Sequence, residues 1–396
     1  RAYDESLVPE AGAENSSRYV AQVGVSQPLY AGGTVSAGIR AAKVGLAAAD
    51  DRIRTARQVA VLEVYTAFHD VLLAKELHTI AVRNRDQRAR ILDEARKKYS
   101  AGTATDYDVL VADVALQNSR PAVLRTDNRI RTSRERLRFL IGRGEGDVDA
   151  GGDLSVVVGE YPGYEPSLAV AVENRPELSD LRHRMKIASE LLNIAKAGNL
   201  PRIYLQGAMG YQDLDFNVYE VEGKTWSAGV FASWSLFDGF RTRGQVAQAK
   251  SDEMSLRIEE VRLLDGIALQ VREAVNAVRE AGETVLALAG TVGQAERLVE
   301  MAEKGYEYGV KTNLEVDDAQ VNLIQARGNL ALARRDYLVT GAQLRRAMGT
   351  LGDELLSPEE KAPPFVPAGS PLGLVGEVFG GKPELNLRRE PTDHLK

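Results

Sequence analysis

Cysteine is absent from all 396 residues, which excludes disulfides and thiolate metal sites and leaves the redox compartment open. Aromatic residues make up only 6% of the chain. Alanine, leucine, arginine and glutamate fill long stretches instead, a mix that suits long helices and coiled coils better than one rounded core. No apolar run reaches the roughly 18 residues that a membrane-crossing helix needs. A membrane-crossing β-strand is a different matter, because about 10 alternating residues are enough. The net charge of −6 is mild, and no basic stripe marks a nucleic-acid partner. Proline is missing from Thr34 to Tyr99. The chain starts at Arg1 with neither a methionine nor a charged-then-apolar leader, so any export signal is expected either to have been removed or to lie outside this sequence.

What is present is said twice. "SQPLYAGGTVSAGIRAAK" (Ser26–Lys43) aligns with "SWSLFDGFRTRGQVAQAK" (Ser233–Lys250) at an offset of 236 − 29 = 207. At that offset Leu29 meets Leu236, Tyr99 meets Tyr306, Gly102 meets Gly309, Thr105 meets Thr312, and Gly142 meets Gly349. The register runs from Leu29 to Gly142 without an insertion, which predicts a tandem duplication of one long supersecondary unit. Residues 1–142 are read as the first unit, 143–166 as a Gly-rich linker, 167–349 as the second unit and 350–396 as a Pro/Gly-rich tail, mostly unpacked from Ser357 onward.

Each unit opens with period-two alternation, the signature of strands, in Tyr19–Ser26, Ile203–Gln212 and Thr225–Ser235. Trp226, Ala228, Val230, Ala232 and Trp234 share one face of the last of these, with small polar residues opposite and Phe231 as the exception. That pattern fits either a sandwich with one buried face or a lipid-facing barrel strand, with Tyr19, Tyr211, Trp226 and Trp234 near strand ends as interfacial aromatics.

Long helices follow, from about Thr34 to Tyr99 and from about Arg241 to Tyr306, each roughly 100 Å long at 1.5 Å per residue. In the second, Val285, Leu288, Val292, Ala295, Val299, Ala302 and Tyr306 step by three and four, a heptad seam. Gly102 and Gly309 are expected helix stops. Thr105 or Asp106, and Thr312 or Asn313, are expected caps of the return helices. The second return helix carries an unbroken seam from Val316 through Ala319, Leu323, Ala326, Leu330, Ala333, Tyr337, Thr340 and Leu344 to Ala347. Its first-unit counterpart is more polar, and Pro121 is expected to kink or interrupt it. A further helix is expected over Asn174–Gly198, with Pro176 at its start and Leu200-Pro201 as its stop.

Catalytic and metal chemistry are not visible. His69 and His78 lie nine residues apart on one helix, which is not a ligand spacing and points to solvated or wall-facing roles. "GRGEG" at Gly142–Gly146 follows a helix rather than a strand, so it reads as a loop and not as a phosphate cradle. No nucleophile is placed beside a base. The chain is therefore read as no enzyme, with no cofactor and no metal site.

Several motifs resemble the TolC-like outer-membrane efflux protein family: "QPLYAGG" and "WSLFDGF" at the strand-to-helix junctions, "ENRPEL" at Glu173–Leu178, "LPRIYLQG" at Leu200–Gly207, and the turns "YSAGTATDYDVLVA" and "YEYGVKTNLEVDDAQ". The resemblance spans Arg1–Gly349. It implies a mainly helical fold with membrane β-strands, two β-hairpins per chain, and a homotrimer that closes a 12-stranded β-barrel above a periplasmic α-helical barrel. It implies an outer-membrane exit duct of a Gram-negative bacterium, contacting outer-membrane lipid and working with a periplasmic adaptor and an inner-membrane pump. By resemblance Glu315 and Asp318 narrow the periplasmic mouth, and Asp108, Tyr306 and Lys311 link neighbouring hairpins. Gly102, Thr103, Gly309 and Val310 are the tips that meet the adaptor. Six carboxylates around one axis would raise the pKa of some of them. On residues alone, Glu315, Asp317 and Asp318 also read as a charged first helical turn.

Within the repeat, Arg1-Ala2-Tyr3 aligns with Arg202-Ile203-Tyr204, so roughly 35 residues that precede the strand in the second unit have no counterpart in the first. A soluble periplasmic coiled-coil scaffold and the adaptor itself remain competing readings. The first leaves the Trp226/Trp234 face nothing to bury against, and the second lacks the β-rich insertion at the hairpin end. Cargo and pump class are not legible.

Overall fold

A computed structural model describes residues 15–216 and 219–352. Three strands, β1 (Asn15–Tyr30), β2 (Arg202–Phe216) and β3 (Tyr219–Ser233), form one antiparallel sheet in the order β1-β2-β3. The helices are α1 (Thr34–Ser100), α2 (Asp106–Leu140), α3 (Tyr164–Asn174), α4 (Pro176–Lys196), α5 (Arg241–Glu307) and α6 (Asn313–Ala347). A fourth strand, which the first unit was expected to supply, and the expected tail beyond Gly352 fall outside the described residues. So do the side chain of Tyr19 and the residues aligned to Arg202-Ile203-Tyr204.

Element bounds repeat at the sequence offset: 241 − 34 = 207 for the long helices and 313 − 106 = 207 for the return helices. Both long helices have 67 residues and both return helices 35. Each pair packs as an antiparallel hairpin through the seams read from the sequence. On α6 the seam residues Val316, Ala319, Ala326, Leu330, Ala333, Tyr337, Leu344 and Ala347 are buried. Small residues alternating with large ones let the two backbones approach while dispersion contacts stay close.

The turns between paired helices are built as the capping rules require. Gly102 and Gly309 adopt φ of 73° and 71°, and Thr105 and Thr312 close reciprocal capping boxes with Asp108 and Glu315. Asp106 and Asn313 are the first helical residues, not the caps.

One expectation needs correction, and one element was not anticipated. Pro121 does not interrupt α2, which runs through it. Proline removes the bond to the Gln117 carbonyl, but Gln117 and Pro121 are both exposed, so water can take that acceptor while the packed face holds the helix together. The expected helix before β2 is α4, which starts at Pro176 as read; a further helix, α3, precedes it, and Arg175 between the two is extended (φ −67°, ψ 118°). Pro176 disfavours the helical region for the residue before it, and Arg175 uses the break to donate from Nε to the Ala347 carbonyl at 3.0 Å.

The linker between the units has no helix or strand from 142 to 163, yet it is packed. Ala150 and Leu154 are buried against Leu72, Leu73 and Leu137 of the first hairpin, and Val156 and Val158 pack on the second. The backbone N–H of Gly159 donates to the Tyr337 hydroxyl at 2.9 Å. This belt crosses both hairpins midway along their length. His69 is buried rather than solvated, with a ring nitrogen 2.7 Å from the Tyr65 carbonyl, and burial lowers its pKa. His78 meets the Thr126 hydroxyl at 3.0 Å. Among the described residues no cluster of metal ligands occurs.

The strands run longer than the alternation suggested, because charged residues toward the hairpin tip still pair across the ladder: Asp213 with Glu222, Tyr211 with Lys224. Trp226 consequently sits mid-strand rather than near an end, and Trp234 lies one residue past β3.

Candidate functional site

Two places combine exposure with chemistry: one face of the sheet, and the lower ends of the helical hairpins. In the sheet, register decides which side chains share a face. Val23 pairs with Met209, which pairs with Trp226; Val25 with Gly207 and Ala228; Gln27 with Leu205 and Val230. All the apolar members point the same way, and they are bare: Val23 is 72% exposed, Met209 69% and Trp226 82%. The opposite face carries the rows Gly24–Ala208–Ser227 and Ser26–Gln206–Gly229. One face of a three-stranded sheet is thus apolar and uncovered; the other is small and polar along most of its length and ends in the row Pro28–Tyr204–Phe231 next to the helices.

At the hairpin ends, the expected mouth residues are held by local bonds. Glu315 accepts from the Thr312 backbone N–H at 2.8 Å and from the Lys311 ammonium. The Lys311 ammonium, with the Thr312 N–H, brings the Glu315 pKa down to about 2. Within one chain the shift therefore runs opposite to the rise expected from a ring of carboxylates. Asp318 is exposed and turns away from the seam. Asp317, next to it, is taken by Arg88 of α1 at 2.5 Å.

The expected link residues do not meet one another. The Asp108 carboxylate accepts from the Thr105 N–H at 2.8 Å, and Lys311 is committed to Glu315. The Tyr306 ring lies 5.4 Å from the Lys98 ammonium, a cation–π contact between the two hairpins. Asp108 and Tyr306 do line one cleft between the hairpins, about 820 Å³ in volume, with Ile91, Lys98, Glu303 and Gln320. Gly102, Thr103, Gly309 and Val310 are exposed at the turns, Val310 by 78%.

The inter-hairpin contacts that sequence reasoning missed lie just above. Arg88, nearly buried, binds Asp317. Gln87 and Gln320 both donate to Glu303, and Arg335 of α6 binds Asp70 of α1 at 2.8 Å. The Gln320 carbonyl oxygen is buried and has no partner among the described residues. A signal existed: Arg88 is in phase with Ala81 and Leu92 on the buried stripe of α1, at steps of seven and four. A charge on a seam demands a partner.

One consequence is measurable at the tip. The folded pKa of Glu315 lies below its unfolded value, so its contribution to stability is complete above about 4.5 and is lost as pH falls toward about 2. Hydrogen exchange at the start of α6 should accelerate across that window, and Glu315→Gln should flatten the dependence. Thr312→Ala removes the cap and should raise exchange there at every pH, by about 1 kcal/mol of local stability.

A strand sheet with a bare apolar face, continued by hairpins of 67- and 35-residue helices, is the fold of outer-membrane channels. The Neisseria gonorrhoeae MtrE outer membrane channel superposes with a TM-score of 0.68 over 87% of this chain and 82% of that one, at 19% identity. The chain belongs to the outer membrane efflux protein family, whose profile matches residues 4–143 and 168–350. It is 24% identical over 323 residues to the outer membrane protein TolC of Escherichia coli K12, covering 77% of this chain and 64% of that protein's length. It is 25% identical over 346 residues to the alkaline protease secretion protein AprF of Pseudomonas aeruginosa, covering 85% of this chain and 70% of AprF.

Proposed function

We propose that this protein is the exit duct of an outer-membrane efflux or secretion assembly, with its sheet in the outer membrane and its hairpins in the periplasm. The continuous exposed apolar face of the sheet carries this reading. Water does not reward a row such as Val23–Met209–Trp226 that nothing covers, and lipid does. Trp226 and Trp234 are eight residues apart on that face. That is about 27 Å along a strand, or roughly 20 Å across the bilayer at the usual barrel tilt, which fits within the ~25 Å apolar band of outer-membrane barrels.

Lipid also demands that the sheet close. The outer edges of β1 and β3 leave backbone donors and acceptors open, which a bilayer does not tolerate. Three chains of four strands each would close a 12-stranded barrel, with the fourth strand drawn from outside the described residues. Closure of the barrel brings three copies of Glu315 and Asp318 to one axis, and the exposed tips at Gly102, Thr103, Gly309 and Val310 face a periplasmic adaptor that couples to an inner-membrane pump. The names of the relatives, one an outer membrane protein and one a secretion protein, support this class of task.

The mouth is held shut by contacts between hairpins, and among the described residues Arg88–Asp317 is the shortest ion pair between them. Purified protein should require detergent, run as a trimer and conduct ions across a planar bilayer. Arg88→Met with Asp317→Leu removes the pair without stranding a charge and should raise single-channel conductance. Tyr306→Phe with Lys311→Ser tests the link implied by the resemblance, and should act more weakly because Lys311 is engaged by Glu315. Glu315→Gln with Asp318→Asn should weaken cation preference while leaving the closed mouth intact. A detergent-independent monomer with no conductance would falsify the duct.

A further inference from the structure

The junction between β3 and α5 is dressed differently from its partner in the first unit. After the last apolar-face residue of β3 come Trp234, 61% exposed, Leu236, 80%, Phe237, 75%, and Phe240, 65%. The Phe237 and Phe240 rings meet edge to face at 5.5 Å. Phe240 holds φ of 65°, and among the described residues it is the one non-glycine with positive φ. Its counterpart at 240 − 207 = 33 is Gly33, at φ 85°. Glycine takes that conformation freely, whereas a bulky side chain is strained there. The second unit keeps the strained ring exposed to solvent.

Cations accompany the rings. A cleft of about 500 Å³ is lined by Lys196, Asn199, Phe237, Phe240 and Arg243. Lys196 and Arg243 bind no carboxylate among the described residues. Asp238, the acid in the cleft, is spent on the Thr242 N–H at 2.9 Å and the Thr242 hydroxyl. The first-unit residues aligned with Arg241 and Arg243 are Thr34 and Ser36, which carry no charge. The two junctions also differ in cover. A Cβ on Gly32 would meet Leu200 and Ala197 at 3.0 and 3.1 Å, whereas one on Gly239 would meet nothing within 4 Å.

We infer that this junction binds a phospholipid of the periplasmic leaflet, its phosphodiester on Lys196 and Arg243 and its acyl chains along Leu236, Phe237 and Phe240. The inference rests on the outer-membrane reading above. Three observations favour lipid over a second copy of the chain. The apolar alternation of β3 runs on in the sequence to Trp234 and Leu236, just past the strand's end at Ser233, and both are exposed, so the patch adjoins the apolar face of the sheet. Burying two unpaired cations against protein would leave them without counter-charge, and a phosphate supplies it, with a bidentate fit to guanidinium. Trp234 donates from Nε1 to the Asn199 carbonyl at 3.1 Å, which anchors an indole at the level where headgroups lie. The net positive cleft favours anionic headgroups, with phosphatidylglycerol the simplest.

The chain has two tryptophans, which makes the test direct. Trp226→Phe leaves Trp234 as the sole reporter at the junction, and Trp234→Phe leaves Trp226 as the reporter further up the strand. Each trimer is reconstituted in phosphatidylcholine vesicles containing increasing fractions of phosphatidylglycerol with brominated chains, and tryptophan quenching is read. At Trp234 the anionic lipid should be preferred by roughly fivefold, the size expected for about one basic residue near an anionic surface. Lys196→Gln with Arg243→Gln should abolish the preference, and Trp226 should show none. Equal quenching by both lipids at Trp234, or a preference that survives the double variant, overturns the site. Quenching at Trp226 but not at Trp234 means that protein covers the junction, which overturns the site and leaves the barrel standing. Quenching at neither tryptophan by any brominated lipid removes the sheet from the membrane, and both readings fall together.

Discussion

Val230→Arg should reduce insertion of the assembled protein into lipid by about 2–4 kcal/mol, whereas Ser227→Arg should insert like the parent. Val230 is 64% exposed on the apolar face, opposite Leu205 of the neighbouring strand. It lies midway between Trp226 and Trp234, so its guanidinium would sit where water is scarcest and snorkelling reaches least far. Ser227 is opposite Ala208 and across from Gly24 on the small polar face, which would line a water-filled lumen. Folding into vesicles followed by urea titration compares the two variants on one scale. Equal insertion of both variants would mean that the Val230 face does not meet lipid, and would overturn the assignment of the two faces.

Gly349→Ala is expected to be the most damaging single-methyl change in the helical part. Gly349 follows α6 at φ 76°, and a Cβ there would stand 2.8 Å from the backbone nitrogen of Arg175 and from the carbonyl carbon and oxygen of Asn174. Those atoms belong to the chain break between α3 and α4 and cannot rotate away. The Gly349 carbonyl also accepts from Gln58 Nε2 at 2.7 Å, so any shift breaks a buried bond to α1. Backbone strain and collision together should cost about 3–5 kcal/mol. Gly102→Ala is the control. Its φ of 73° is nearly the same, but a Cβ there meets nothing within 4 Å, so only the left-handed penalty of about 1–2 kcal/mol remains. Thermal unfolding of the two variants separates collision from conformation, and equal losses would show that the close approach is not rigid.

The long helices were legible because their signals are local and repeated. Thr34 and Ser100 bound α1 within a residue of the sequence expectation, since a proline-free run and a glycine stop are read directly. The seam of α6 was legible for the same reason: spacing by three and four has one geometric meaning. Where the reading failed, a non-local term had decided. Proline at 121 was expected to kink or interrupt a helix, and the helix is uninterrupted because the packed face of α2 outweighs one lost backbone bond at an exposed turn. The short helix α3 went unread, and the break that separates it from α4 lets Arg175 bond to the end of α6.

For the candidate site the division is sharper. Glu315, Asp318, Lys311 and the tip glycines were singled out by resemblance, and the structure gives them local partners that the resemblance did not imply. Lys311 lies one helical turn from Glu315 and reaches it before it reaches another hairpin. Arg88 and Asp317 are 229 residues apart, and no spacing rule connects them.

The sequence alone determined the long helices and return helices, their seams and the alternating faces of the strands, because these follow from periodicities of two and three-to-four residues carried by neighbouring positions. Only the tertiary structure decided that Val23, Met209 and Trp226 fall in one row, that Asp317 belongs to Arg88, and that Gly349 touches the α3–α4 break. Strand register and helix-to-helix partnership are set by contacts between segments hundreds of residues apart, and local pattern carries no information about which distant segment arrives.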